Sequence, residues 1–357
     1  MNSAQLFKPE HGLGPPLLHV VVMLVMLVPA IARYSDAESA TLRGPTPVLS
    51  YHYKADDLRY RGGPVVPSSI SYVIFWRPKG FRFEPRGNDS RYMALMQRYL
   101  SDVGGTPFFN ILTQYSYGPS GTPTTARDVL RHRVYARLVP DGPIRNTTHV
   151  GGVYLDTTPY PRAGTKADPI RYPDFLSEVL RAMRTERWTA GITHIFYLFT
   201  AGGPRACFVG KTQCLPSQGC ATHVSYGPSR APIIVDVMAD VAAYRPCRSQ
   251  ETTGKYAYRS VNHDTLADFE VTILSHEQFE TITDPLDGNS VTPVATNGWY
   301  DKNPSSGEIA DKCESILDPI LSAHLDNVKL HAHRYHVQEE WSNVDHNCVT
   351  AYRGPPA

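Results

Sequence analysis

The 357-residue chain has almost no charge imbalance, with 35 Lys and Arg against 34 Asp and Glu and a formal net charge of +1. A surface that binds nucleic acid through its phosphates needs a basic surplus, so that class of partner is excluded. Charged residues are few as well, 19% against 41% apolar. A chain disordered throughout would show the opposite balance. Internal repeats and heptads are missing, which removes solenoids and coiled coils. Outside residues 17–32 no apolar run is long enough to suggest a membrane span. What the chain has in quantity is 30 Pro, 26 Gly and 21 Tyr, a composition that points to a loop-rich fold rather than a helical bundle.

The run Leu17 to Ala32, interrupted by His19 and Pro29, ends in Ala30-Ile31-Ala32 and is followed by polar Arg33-Tyr34-Ser35-Asp36. This short apolar core before a small-x-small site predicts a secretory signal over 1–32, with a retained signal anchor as the alternative. Residues 33–59 lack sustained periodicity and read as a flexible leader or propeptide-like segment. A single domain is expected over 60–352. Secretion makes disulfides the default for the six cysteines, Cys207, Cys214, Cys220, Cys247, Cys313 and Cys348. A zinc site at Cys214, Cys220 and His223 is disfavoured, because the spacing lacks paired CxxC knuckles. Asn88-Asp89-Ser90 and Asn146-Thr147-Thr148 are glycan acceptor sequons.

Alternation and β-rich composition predict strands at 69–76, 134–138, 150–155, 193–200 and 233–238. Helices are expected over 91–100 and 174–187, with a long loop over 104–128. A further helix spans 264–284, between an Asp264 or Thr265 cap and Asp284-Pro285. It carries His276-Glu277-Gln278-Phe279-Glu280, an HExxE. One helical turn apart, His276 and Glu280 share a face and both reach one cation. Composition alone predicts only on the order of 0.02 such motifs in a chain like this.

The pattern is the zincin HExxH with glutamate in place of the second histidine. Glu277 is then the candidate general base for a water held by the metal. A downstream carboxylate should complete the ligand set, and Gly307-Glu308-Ile309-Ala310-Asp311 offers two. Glu308 is the expected ligand and Asp311 the residue that holds the His276 Nδ1–H. Asp311 itself, or Asp284, is the alternative ligand. Tyr300 is the candidate oxyanion donor, against a packing role beside Trp299. Zinc is the expected ion, with calcium or another divalent ion favoured by the second carboxylate. In His331-Ala332-His333, alternation would put both imidazoles on one strand face, a weaker metal candidate than exposed strand histidines.

Several segments resemble the phosphate-induced protein 1, or EXORDIUM-like, family. They are Tyr60-Arg61-Gly62-Gly63-Pro64, Ser275 to Glu280 with Thr283-Asp284-Pro285, Gly298-Trp299-Tyr300-Asp301 and Gly307 to Cys313. Pro107 to Leu112, Thr157 to Arg162 and Val337 to Asn343 are similar too. Ala310 replaces a usual glycine, and 287–297 is an insertion that could reshape the rim of the site. The resemblance implies an extracellular or cell-wall protein associated with growth; it implies no settled reaction. The expected molecule is a secreted, disulfide-bonded α/β (α+β) protein with a zincin-like mixed sheet and a buried HExxE helix. It hydrolyses an extracellular peptide, protein or cell-wall component. A non-catalytic wall protein with a structural or vestigial metal is the alternative, and a carbohydrate-binding wall module is a third reading.

Overall fold

The computed structural model describes residues 57–83, 88–118, 125–137, 139–208, 214–217, 219–228, 231–240, 260–286, 297–301, 307–313 and 327–355. All lie within one compact unit, Tyr51–Ala357. The expected signal segment, the leader as far as residue 56, Cys247 and most of the 287–297 insertion lie outside the described residues. Among the described residues no helix is long and apolar enough to cross a membrane.

The architecture is mixed α/β. Five strands form the main sheet: β1 (Ser69–Trp76), β2 (Thr148–Asp156), β3 (His194–Thr200), β4 (Ala221–Tyr226) and β5 (Ile233–Ala239). Their order is β4-β5-β3-β1-β2. All neighbours are parallel except β4, which lies antiparallel to β5 at one edge. The inner strands are near-continuous apolar runs because both faces are covered. Successive side chains point to opposite faces. Val73, Phe75, Ile195, Tyr197, Phe199, Ile234 and Met238 therefore enter one core, and Tyr72, Ile74, Trp76, Phe196, Leu198, Val235 and Val237 enter the other.

Helices α1 (Asp89–Asp102) and α4 (Thr265–Thr283) serve the first core, and α3 (Tyr172–Glu186) serves the second. The expected strand at 134–138 is not formed, since α2 occupies Ala126–Tyr135. The cause is a capping box. Thr125 Oγ1 accepts from the Asp128 N–H at 3.2 Å, and Asp128 Oδ2 accepts from the Thr125 N–H at 3.0 Å. Within the expected 104–128 loop, Phe109–Gln114 is a 3-10 helix and Ser116–Tyr117 a short strand. The two histidines of His331-Ala332-His333 do not share a strand face. His331, at φ 52°, lies in the turn between Val328–Leu330 and His333–Tyr335. Their rings serve Gly104 O (3.0 Å) and Asp102 Oδ2 (2.6 Å).

Disulfides join Cys207 to Cys214 and Cys313 to Cys348, Cys220 is disulfide-bonded as well, and no described cysteine is free. The two sequons differ in their surroundings. Asn88 is exposed and caps α1 through Oδ1. Asn146 is part-buried; its Nδ2 donates to Thr106 O and Asn110 Oδ1 at 3.1 and 3.3 Å, and its Oδ1 accepts from the Gly105 N–H at 2.9 Å. A glycan on Nδ2 would disrupt that arrangement. In protein expressed through a eukaryotic secretory pathway, peptide mapping should find glycan at Asn88 and not at Asn146; the reverse occupancy would contradict this packing.

On the α3 side, Arg181 Nη1 lies 2.6 Å from Asp156 Oδ2 and 3.1 Å from Glu178 Oε2. Burial, and then the hydrogen bond and charge of Asp156, push the Glu178 carboxyl up to about 8 against the pull of Arg181. A carboxyl raised in the folded state contributes stability that is complete below its unfolded value near 4.5 and is lost as pH rises through about 8. Thermal unfolding should therefore show falling stability over that window, and Glu178→Gln should flatten the slope. An unchanged slope in the variant would refute the assignment.

Candidate metal centre

Helix α4 starts at Asp264, whose side chain accepts from the Ala267 N–H at 3.3 Å. Fifteen of its nineteen residues are buried. An ordinary surface helix buries one stripe; this one is enclosed nearly all round, so its polar residues must find partners inside the protein. Tyr99 donates to Gln278 Oε1 at 3.1 Å, and Thr281 donates to Asp236 Oδ1 at 2.6 Å. The side chains of the HExxE motif gather into a charged group.

His276 Nε2 lies 3.1 Å from Glu280 Oε1 and 3.7 Å from Asp311 Oδ1. The ligand atoms of these three residues fall within 4.8 Å of one another. Behind the ring, Nδ1 is 3.1 Å from Gln338 Oε1. Gln338 Nε2 donates to Ala310 O at 2.7 Å, which fixes the direction of the amide and makes its oxygen the acceptor for the imidazole N–H. The Nε2 lone pair is then the one that faces the carboxylates.

The downstream segment is held against α4 from several sides. The Asp311 N–H donates to Glu280 Oε1 at 3.1 Å, and the Trp341 N–H donates to Ile309 O at 3.2 Å. Lys312 pairs with Asp301 and lies 4.6 Å over the Trp341 ring, and the Cys313–Cys348 bond ties the end of the segment to the C-terminal strand pair.

A second imidazole joins from the sheet. His223, on the edge strand β4 opposite Asp236, points toward α4. Its Nδ1 lies 3.5 Å from Glu277 Oε2 and 3.9 Å from Glu280 Oε2, while its Nε2 lies 3.4 Å from Glu308 Oε1. His223, Glu277 and Glu280 are 3%, 5% and 3% exposed. Such burial makes each unneutralised charge cost several kcal/mol.

The electrostatics show what the site demands. Burial works against a charged His276, yet Glu280, Glu277 and Asp311 hold its pKa well above the usual value. Burial pushes the Glu280 carboxyl up, but His276 foremost, with His223 and the Asp311 N–H, brings it below the ordinary range. Asp236 is driven well up, by burial and then by Glu277 and Glu280, against the opposing pull of His223 and Thr281. A positive charge is wanted at His276 Nε2, and a proton supplies it when no cation does. The donor set of one imidazole nitrogen and two carboxylates fits a divalent ion of the zinc type.

No family model matches this chain, and neither a curated protein nor a solved structure does. The chemistry of the site must therefore be read from its own residues.

Of the residues singled out in the sequence, His276, Glu277, Glu280, Glu308 and Asp311 are brought together. The partners of two of them differ from expectation. Asp311 lies on the Nε2 side of His276 and not at Nδ1, where Gln338 sits. Glu308 meets His223. Asp284 is committed elsewhere: its Oδ1 accepts from the Gly298 N–H and its Oδ2 from Asn297 Nδ2, both at 2.8 Å. A Cβ on Gly298 would lie 2.2 Å from Thr283 O, so only glycine lets this loop close onto the helix end. Tyr300 packs its ring over Gly307, one residue before Glu308. It also lines a cavity of about 340 Å³ with Arg61, Thr125, Arg127, Asp128, Asn297 and Asp301, none of which belongs to the His276 group.

His223 and Gln338 were not anticipated as parts of the site. In the sequence His223 stands out only with Cys214 and Cys220, in a disfavoured zinc spacing whose two cysteines are disulfide-bonded. Gln338 is marked only by lying in the Val337 to Asn343 segment of the resemblance. Because Gln338 orients the imidazole, Gln338→Leu should lower zinc affinity by about 10–100-fold with the fold intact by circular dichroism. Unchanged affinity in equilibrium dialysis would remove Gln338 from the site.

Proposed function

We propose that the chain is a secreted, zincin-like, metal-dependent hydrolase of peptide or related amide bonds. The observation that carries this is the convergence of His276 Nε2, Glu280 Oε1 and Asp311 Oδ1, with the Glu277 carboxylate beside them. The antiparallel edge strand β4, packed beside the HExxE helix, supports the zincin-like reading of the mixed sheet. The imidazole in the donor set favours zinc over calcium, which takes oxygen ligands.

A divalent ion in this position supplies Lewis-acid polarisation of a substrate carbonyl and acidifies water. The protein's own residues do the rest. Gln338 fixes the ring of His276, and the Asp311 N–H fixes Glu280. Glu277 accepts a proton from the attacking water at its carboxylate and returns it to the leaving amine. The enclosing core keeps bulk water away from the carboxylates, which strengthens each charge interaction. Asp311, with its side chain 39% exposed, marks the side on which the site meets solvent.

The phosphate-induced protein 1 resemblance adds an extracellular or wall setting and is silent on the reaction. The competing reading is a non-catalytic protein in which the same residues hold a structural cation. The two part at Glu277. Dialysed wild-type protein should carry stoichiometric zinc and His276→Ala none, while Glu277→Gln keeps the metal and loses turnover of a peptide library by about 10²-fold or more. Zinc-free wild-type protein would end the hydrolase reading. Zinc-loaded wild-type protein that turns over no member of the library would leave the structural one.

A further inference from the structure

The Glu280 carboxylate is divided between two imidazoles. Its Oε1 faces His276 Nε2 at 3.1 Å, and its Oε2 faces His223 Nδ1 at 3.9 Å. Each ring is backed on its other nitrogen, His276 by Gln338 at 3.1 Å and His223 by Glu308 at 3.4 Å. This is the arrangement of ligating histidines, in which a partner on one nitrogen leaves the other to a metal. The His223 side has its own complete group, since ligand atoms of His223, Glu277 and Glu280 also lie within 4.8 Å of one another. A further observation points to a ligand. Glu277 is 5% exposed, and its Oε2, which faces His223, has no hydrogen-bond partner among the described residues. A buried carboxylate oxygen left in that state is costly unless a cation or proton meets it.

We propose that His223, Glu277 and the second oxygen of Glu280 form a further divalent-cation site, adjacent to the one at His276 and bridged to it by Glu280. The proposal rests on the functional reading above and adds a regulation to it. Two cations sharing one carboxylate repel, so the His223 site binds more weakly. Filling it engages the carboxylate of Glu277, which then no longer accepts a proton. Turnover is highest with one cation bound and falls as the second site fills.

Calorimetric titration of the metal-free full chain with zinc alone should show two classes of site, the second at least about tenfold weaker than the first. His223→Ala and His223→Asn should abolish the second and keep the first, with unchanged melting curves reporting an intact fold. Glu277→Gln should keep the first class and weaken the second at least about tenfold, an effect that a residue acting only as a base would not produce. His276→Ala should remove the tighter class. A single class in wild type, or two classes that survive both His223 substitutions, overturns the second site and leaves the first in place. Two classes unaffected by His276→Ala would instead overturn the functional reading on which it rests.

Discussion

The structure turns on one electrostatic constraint: a helix enclosed nearly all round carries Glu277 and Glu280 into the core, where Glu308 and Asp311 meet them. Leaving such charges unneutralised costs several kcal/mol each, and the whole stability of a domain is only about 5–15 kcal/mol. The cluster therefore favours positive charge among its members. His276 and His223 are placed to provide it, as imidazolium when protonated or as ligands when a cation takes the place of the proton. The raised basicity of His276 and the lowered pKa of Glu280 are two views of this same demand.

The remaining architecture serves that cluster. The sheet places Asp236 and His223 opposite each other, and Thr281 from α4 bonds to Asp236. The 307–313 segment reaches the helix because Lys312, the Cys313–Cys348 bond and Gln338 fasten it to neighbouring strands. Gly298 lies close against the end of α4, where its N–H donates to Asp284. These are interactions between residues far apart in the chain, and none of them is a local propensity.

That difference explains how much could be read in advance. Strands β1, β3 and β5 are apolar β-rich runs whose burial on both faces writes itself into composition, and α4 is bounded by an aspartate cap and a proline. The HExxE pairing follows from helical geometry alone. Val134 and Tyr135 belong to a helix and not to the expected strand, because a capping box outweighs their β preference. That Gln338 and not Asp311 meets His276 Nδ1, and that Glu308 meets His223, depends on side-chain placement that spacing along the chain does not carry. His223 lies 53 residues before His276, and only the antiparallel pairing of β4 with β5 brings it to the helix. Gln338 belongs to the site by virtue of a single amide set between Ala310 and His276.

Anomalous diffraction at the zinc edge, from crystals grown with one equivalent of zinc, tests the central claim most directly. The account predicts one peak at coordinating distance, about 2.0–2.2 Å, from His276 Nε2 and from carboxylate oxygens of Glu280 and Asp311. A peak at cysteine sulfur, or none within reach of His276, would contradict it.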